Sequence, residues 1–133
     1  MAIFLSASAE ETEAIATEYA HTLRAGDVVL LDGELGAGKT AFVKGLAKGL
    51  GISDAVTSPT YAYLNVYGNY LFHYDCYRLS SAEDAERLGL TDYFGEDCIC
   101  AIEWSERIAE AIPSYAKRVS IRKLSENERE ITL

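Results

Sequence analysis

Residues Gly33 to Thr40 read GELGAGKT, a complete match to the pattern G-x-x-x-x-G-K-[ST]. Glycines in this pattern allow a tight loop whose backbone N–H groups face phosphate oxygens, and the next helix directs its positive dipole end at the same anion. Lys39 would reach the β- and γ-phosphates, and the Thr40 hydroxyl would coordinate Mg²⁺. The stretch therefore predicts nucleotide binding, and a chance match is the disfavoured alternative.

Two apolar stretches end in an acidic residue, LFHYD at Asp75 and CICAIE at Glu103. A nucleotide-hydrolysing site of this type needs an acid at a strand end near the metal and a group that positions the attacking water. For each acid the alternative is a helix cap or a solvated turn residue. We predict that Asp75 and Glu103 are catalytic together with Lys39, although Asp is more usual than Glu in the metal-associated position that Glu103 would take.

Three other residues have both a functional and a structural interpretation, and a fourth has a structural one only. Arg78 either pairs with Asp75 or stabilises the charge on a transferring phosphate. Thr60, behind a proline, is either a switch hydroxyl that senses Mg²⁺ or the γ-phosphate, or a simple turn residue. Trp104, the only tryptophan, either borders the site or belongs to the core, and His73 is interpreted as a packed histidine on a strand.

The elements that must position these residues alternate between helices and strands, which predicts an α/β fold. Ser8 and Glu11 have the spacing of a capping box at the start of a helix that extends to Arg24, with Gly26 as its stop. A buried strand over residues 27–32 runs into the glycine loop. A helix over residues 39–50 follows the loop and is stopped by Gly51.

Beyond the loop, the pattern predicts a hairpin of strands 61–67 and 70–75 joined by Gly68 and Asn69. A second capped helix begins at Ser80, with Glu83 at the capping-box spacing, and extends to residue 88. The remaining predictions are a strand at 98–102, a helix at 105–111, and strands at 119–124 and 129–133. Together they predict one P-loop NTPase-like domain over residues 1–133, with a mostly parallel central sheet, flanking helices and a hairpin.

Composition narrows the function further. The chain has 133 residues, 21 acidic against 12 basic ones, and a formal net charge of −9, which argues against stand-alone nucleic-acid binding. The start of the sequence lacks the pattern of a signal peptide and no apolar run approaches the ~20 residues that span a bilayer, so we expect a cytoplasmic protein. Cys76, Cys98 and Cys100 are predicted to be buried core thiols rather than disulfides or metal ligands.

Several stretches, taken in order, resemble one family: TsaE, the ATPase of bacterial tRNA threonylcarbamoyladenosine biosynthesis. The matching stretches are GELGAGKT with AFVKGL, VTSPTY, HYDCYRL and the IEWSER segment. The loop alone is common to many proteins, whereas the ordered combination is specific. The resemblance covers about residues 8–107 and is weak after Pro113.

The resemblance implies a P-loop domain that binds ATP and Mg²⁺ and hydrolyses ATP slowly. It also implies association with the TsaB–TsaD pair, which transfers the threonylcarbamoyl group to adenosine 37 of ANN-decoding tRNAs, so that tRNA is reached only through the complex and no membrane is involved. Lys39 and Thr40 would hold the phosphates and Mg²⁺, Glu103 matches the second metal-associated acid, and Asp75 lies in the H-x-D-x-YR segment. The complete set of nucleotide-binding residues expected is Thr12, Gly33, Gly36, Ala37, Gly38, Lys39, Thr40 and Ala41.

Two rival functions remain open at this point. A small-molecule kinase would use the same loop, although no arginine cluster in the sequence marks a lid-like insertion. A non-catalytic, nucleotide-gated binding module would bind ATP and a partner without needing Asp75 or Glu103. A metabolite that raises ADP release would favour the kinase, and acid variants that keep partner-dependent function would favour the module.

Overall fold

A computed structural model describes residues 2–56 and 63–133. The chain divides into two compact units, each assembled from separate stretches of sequence. The first contains the described residues of 2–23, 32–56 and 118–133, and the second contains 24–31 and 63–117. Thr60 and most of the VTSPTY stretch lie outside the described residues, and the single-domain interpretation stays a prediction.

The first unit contains two helices and a group of antiparallel strands. The strands lie in the order β1-β7-β6, with Ile3 opposite Thr132 in one pair and Ile121 opposite Ile131 in the other. The sequence patterns did not predict β1. The elements are β1 (Ile3–Ser6), α1 (Ala9–Ala20), α2 (Lys39–Gly49), β6 (Lys117–Lys123, whose first residue belongs to the second unit) and β7 (Arg129–Thr132).

Helix α1 begins as predicted but ends before the predicted Arg24. The Ser8 hydroxyl accepts a hydrogen bond from the Glu11 N–H at 3.1 Å, which confirms the N-cap. After Ala20 the backbone N–H groups bond three residues back instead of four, as in His21 to Glu18 at 3.1 Å. The α-helix therefore ends in a tight turn.

Helices α1 and α2 approach closely because α2 carries glycines on the facing side. A Cβ atom built at Gly45 would lie 2.5 Å from the Cβ of Ala16, and one at Gly49 would lie 2.6 Å from the Cβ of Ala20. Real Cβ atoms are not found so close together, so both positions require glycine. This contact fixes α1, with Thr12 near its start, against the helix that follows the glycine loop.

The second unit contains strands in the order β2-β5-β4-β3. Strands β2, β5 and β4 are parallel, whereas β3 and β4 form an antiparallel hairpin in which Gly68 and Asn69 have φ of 58° and 52°, as the predicted two-residue turn requires. With β1, β6 and β7 also antiparallel, strand pairing is mixed, and the prediction of a mostly parallel sheet is wrong. The strands are β2 (Val28–Asp32, whose last residue belongs to the first unit), β3 (Leu64–Tyr67), β4 (Leu71–Asp75) and β5 (Ile99–Glu103).

The helices of the second unit are short. Helix α3 (Ala82–Arg87) is capped by Ser81, whose hydroxyl accepts from the Asp84 N–H, so the predicted capping box at Ser80 and Glu83 is wrong by one residue. The Ser80 hydroxyl instead bonds the Asp84 carboxylate. The predicted helix over residues 105–111 is a 3₁₀-helix (Ser105–Ala111) broken at Ile108, and a further 3₁₀-helix spans Leu90–Tyr93.

The three cysteines are buried and free, as predicted. The Sγ atoms of Cys98 and Cys100 lie 4.0 Å apart on one face of their strand region. Burial raises the pKa of Cys76 and of Cys100 to about 12. They pack in an apolar core with residues such as Val28, Tyr74 and Ile102.

Within residues 2–56 and 63–133, none of the helices combines the length and apolar character needed to cross a membrane.

Candidate functional site

The glycine loop leads into α2 through two residues in the left-handed region. Gly36 has φ of 81° and Gly38 has φ of 107°, a conformation that residues with a Cβ rarely adopt. Gly38 is the N-cap of α2, and the first helical bond runs from the Phe42 N–H to the Gly38 carbonyl at 3.0 Å. An α-helix leaves its first N–H groups without intrahelical acceptors, so this end of α2 suits an anion.

The side chains of the loop divide into buried and exposed ones. Lys39 is 7% exposed and Ala37 is 1% exposed, whereas Glu34, Leu35 and Gly36 lie at the surface. A Cβ atom built at Gly36 would meet nothing within 4 Å. The loop therefore presents open backbone rather than side-chain bulk at this point.

Thr12 lies near the loop, on a cavity within the first unit. The cavity measures about 170 Å³. Thr12 Oγ1 and Ser6 Oγ are 2.8 Å apart, and Ser6 Oγ donates its own proton to the Ser8 carbonyl. Thr12 must then donate to Ser6, which leaves only acceptor capacity for a ligand. The cavity is lined by Ser8, Ala9, Thr12, Gly38, Ala41, Glu126, Asn127 and Arg129.

The glycine loop rests on the β6–β7 hairpin at three points. A Cβ atom at Gly33 would lie 2.8 Å from the Ile121 carbonyl oxygen, so only glycine allows this approach. Asp32, just before the loop, forms an ion pair with Arg118. The third point is Arg129, which donates to the Ala37 carbonyl at 2.8 Å.

Asp75 and Glu103 lie opposite each other at the carboxyl ends of parallel strands β4 and β5. Asp75 Oδ1 accepts a hydrogen bond from the Tyr77 N–H at 3.0 Å, so it also serves as a turn residue. Glu103 is only 8% exposed. The structure thus brings together the two acids that sequence predicted as catalytic.

His73 is the buried partner of Glu103. His73 Nε2 and Glu103 Oε2 are 2.6 Å apart, and the imidazole is 0% exposed. An ionised carboxylate only accepts, so when Glu103 is ionised the imidazole donates from Nε2–H. Within the described part of the chain, His73 Nδ1 has no hydrogen-bond partner.

Trp104 and Arg78 follow the two acids in sequence. Trp104 has φ of 59°, and its ring makes an edge contact with Tyr77 at a centroid distance of 4.8 Å. The Arg107 guanidinium lies over the Tyr77 ring, 5.2 Å from the ring centroid. Arg78 is exposed, and its predicted role stays a prediction.

Sequence reasoning missed two contacts at these places. His73 was interpreted as a packed histidine, although it is two residues before Asp75 on the same strand and so shares its face, which is a signal that it lies near the strand-end acids. Arg129 had no local signal, because its partners in the glycine loop lie 92 and 93 positions away.

Comparison with known proteins identifies the family of the chain. Residues 6–131 match the family model described as "Threonylcarbamoyl adenosine biosynthesis protein TsaE". The chain belongs to the TsaE family.

Proteins similar to this chain align with it over most of their length. A TsaE protein of Treponema pallidum is 45% identical, with 97% of each chain covered, and one of Bacillus subtilis is 43% identical, with 92% of this chain and 78% of the relative covered. The crystal structure of YdiB from Bacillus subtilis superposes with a TM-score of 0.82 at 37% identity, covering 98% of this chain and 82% of that one.

The TsaE family match also corrects one expectation. The resemblance was expected to be weak after Pro113, but the family model continues to residue 131. The matched range therefore includes most of the β6–β7 hairpin. The chain is a member of a family named for tRNA threonylcarbamoyladenosine biosynthesis.

Thr40 and Glu103, the two residues predicted to hold Mg²⁺, each carry an oxygen donor. Mg²⁺ prefers hard oxygen ligands and usually keeps waters and substrate phosphates in its shell. Thr40 offers a hydroxyl oxygen on a half-buried side chain, and Glu103 a carboxylate. Among residues 2–56 and 63–133, no group of three or more His, Cys, Asp or Glu side chains forms a metal site.

Proposed function

We propose that this chain is a P-loop NTPase-like, Mg²⁺-dependent ATPase that converts ATP and water to ADP and phosphate in the cytoplasm. In this role it supports a TsaB–TsaD pair during threonylcarbamoylation of adenosine 37 in ANN-decoding tRNAs. The observation that carries the proposal is the glycine loop, which has positive φ at Gly36 and Gly38 at the start of α2. Family membership supplies the biosynthetic context.

The residues divide the work as follows. Backbone N–H groups of the glycine loop, other than the Ala37 N–H that donates to the Glu34 carbonyl, bind the phosphates together with the start of α2, and Lys39 adds a positive charge at the β- and γ-phosphates. Thr40 and Glu103 hold Mg²⁺, which when bound neutralises charge on the phosphate oxygens. Asp75 and Glu103 are the candidates for orienting the attacking water. Thr12 accepts a hydrogen bond from the nucleotide, since its own proton is donated to Ser6.

An acidic chain serves tRNA chemistry through its partners in this proposal. With a formal net charge of −9, the chain is poorly suited to neutralise an RNA backbone. The TsaB–TsaD pair would contact the tRNA, and ATP hydrolysis would support turnover of the complex rather than carry out the carbamoyl transfer. Thr60, Arg78 and Trp104 are proposed switch or site-border residues.

The test is ATP hydrolysis by the purified protein, alone and with the TsaB–TsaD pair, followed by formation of threonylcarbamoyladenosine in tRNA. We expect slow hydrolysis alone, faster hydrolysis with the pair, and repeated product turnover only with this protein and ATP present. The partner role would be refuted if the TsaB–TsaD pair leaves the hydrolysis rate unchanged and repeated product turnover does not require this protein.

Variants of Lys39, Thr40 and Glu103 distinguish ATP binding from ATP hydrolysis. Lys39→Ala and Thr40→Ala should lower turnover by about 10²-fold or more, the scale for loss of one positioned electrostatic group. Glu103→Ala should keep ATP affinity while hydrolysis falls. Wild-type turnover in Lys39→Ala would contradict the site, and loss of affinity in a folded Glu103→Ala protein would assign that acid to nucleotide–metal binding instead.

The two rival functions make different predictions. A small-molecule kinase would release ADP much faster when one metabolite is added, so a metabolite screen is the corresponding measurement. A non-catalytic binding module would keep partner-dependent function in Asp75→Ala and Glu103→Ala. We favour the ATPase because the two acids lie side by side at the carboxyl ends of parallel strands.

A further inference from the structure

The side chain of Arg129, on β7, links the glycine loop to the turn between β6 and β7. Its Nε donates to the Ala37 carbonyl at 2.8 Å and its Nη2 donates to the Gly36 carbonyl at 3.1 Å. On the other side, Nη1 lies within hydrogen-bond distance of three carbonyls of the turn, those of Ser125, Glu126 and Glu128, at 3.0 to 3.2 Å. One guanidinium therefore connects two backbone segments.

Arg129 holds the outer side of the loop backbone. In a trans peptide the C=O and N–H groups point in opposite directions, and the chain has no cis peptide among its described residues. Fixing the Ala37 carbonyl therefore also fixes the direction of the Gly38 N–H. The adjoining Gly36–Ala37 peptide is held at both ends, since its N–H donates to the Glu34 carbonyl at 3.0 Å.

The loop needs such a restraint because of its own composition. Glycine gives the backbone access to positive φ, but it also allows many other conformations. Gly36 and Gly38, with φ of 81° and 107°, flank the peptide groups that Arg129 holds. Arg suits this position better than Lys because its planar fork presents five fixed donors, whereas an ammonium group acts as a single point.

We infer that Arg129 is a positioning residue that keeps the Gly36–Ala37–Gly38 backbone in its anion-binding conformation. The inference rests on the proposed function only for the identity of the anion as ATP. Arg129 also borders the cavity that Gly38 and Thr12 line, so a direct contact with the nucleotide is the competing role. The hydrogen bonds to five backbone carbonyls favour positioning.

The variants are Arg129→Ala and Arg129→Lys, with Arg122→Ala as the matched control. Arg122 lies on the neighbouring strand β6 and forms a surface ion pair with Glu130 at 3.2 Å, so its removal alters the hairpin charge without touching the loop. The first measurement is amide hydrogen exchange of Ala37 in the nucleotide-free protein. Amides of residues 99–103 in β5 provide the folding reference in the same experiment.

In Arg129→Ala we expect faster exchange at Ala37 with unchanged exchange in β5. If the competent loop population falls to about a tenth or a hundredth, ATP affinity falls by about 10- to 100-fold. Arg129→Lys should show a smaller change in both quantities, and Arg122→Ala should match the wild type. If the β5 amides of Arg129→Ala also exchange faster than in the wild type, that variant is not fully folded. The comparison is then made with Arg129→Lys, which keeps the charge and the aliphatic part of the side chain.

Three outcomes decide the matter. Unchanged Ala37 exchange with unchanged ATP affinity overturns the inference. Unchanged exchange with weaker ATP binding also overturns it and assigns Arg129 to direct nucleotide contact. If the wild-type protein binds no ATP, the proposed function is refuted. Faster exchange at Ala37 in Arg129→Ala would still support the positioning role in that case, so the two failures are distinguishable.

Discussion

The buried pair of His73 and Glu103 yields a quantitative prediction. The two side chains share a 2.6 Å hydrogen bond at 0% and 8% residue exposure. A hydrogen bond to a charged group contributes about 1.5–3 kcal/mol, and a buried polar group left without a partner costs about 1–3 kcal/mol. His73→Leu removes this hydrogen bond from the Glu103 carboxylate, and it also removes Nδ1, which has no partner among the described residues. We expect a net loss of about 2 kcal/mol in the free energy of unfolding.

A double-mutant cycle isolates the pair. Glu103→Leu removes the acceptor of His73 Nε2, whereas the double variant removes both groups of the hydrogen bond. The double variant should therefore be less destabilised than the sum of the single variants by about 2–3 kcal/mol, within the range for residues in direct contact. Urea unfolding of the four proteins measures the difference. His73→Gln, which places an amide donor near the Nε2 position, should recover part of the loss.

The exposed pair of Arg122 and Glu130 is the control cycle. Their side chains are 68% and 30% exposed, and surface pairs of this kind typically couple by about 0–1 kcal/mol. If the His73 and Glu103 changes add to within about 0.5 kcal/mol, as independent sites do, then the buried hydrogen bond contributes nothing and the reasoning fails.

Two further predictions concern packing and thiol chemistry. Gly45→Ala should destabilise the protein by about 1–3 kcal/mol through overpacking against Ala16, measured by urea unfolding, and a wild-type midpoint would show that α1 moves away freely. Because a pKa of about 12 for Cys76 and Cys100 leaves roughly a thousandfold less thiolate at pH 8 than the usual value, a thiol reagent should label the folded protein slowly and the unfolded protein at once. Rapid labelling of all three cysteines without unfolding would contradict their burial.

The sequence predicted the elements whose signals are local. The glycine loop, α2, β2, β5 and the Gly68-Asn69 hairpin all have patterns that depend on neighbouring residues alone, and each is present in the structure. The error at α3 arose because Ser80 and Ser81 are adjacent and both suit a cap. Asp84 decides between them, since its backbone N–H donates to Ser81 while its carboxylate accepts from Ser80.

The elements that were missed depend on residues far away in sequence. Strand β1 has only four residues and becomes a strand by pairing with β7, which no local pattern encodes. The same holds for the site. The positions of Asp75 and Glu103 could be predicted because each acid ends an apolar strand. The His73–Glu103 hydrogen bond could not, because it joins residues 30 positions apart, and the Arg129 contacts form only where β7 returns to the glycine loop.

The dependence of the glycine loop on the β6–β7 hairpin has a consequence for synthesis of the protein on the ribosome. Translation produces Gly36 and Ala37 early, but their partner Arg129 follows 92 to 93 codons later. Residues 3–6 likewise wait for residues 129–132 before they can pair. A nascent chain therefore carries the loop without the Arg129 contacts until that residue has emerged from the ribosome, so the loop reaches its final form only after β7 is available.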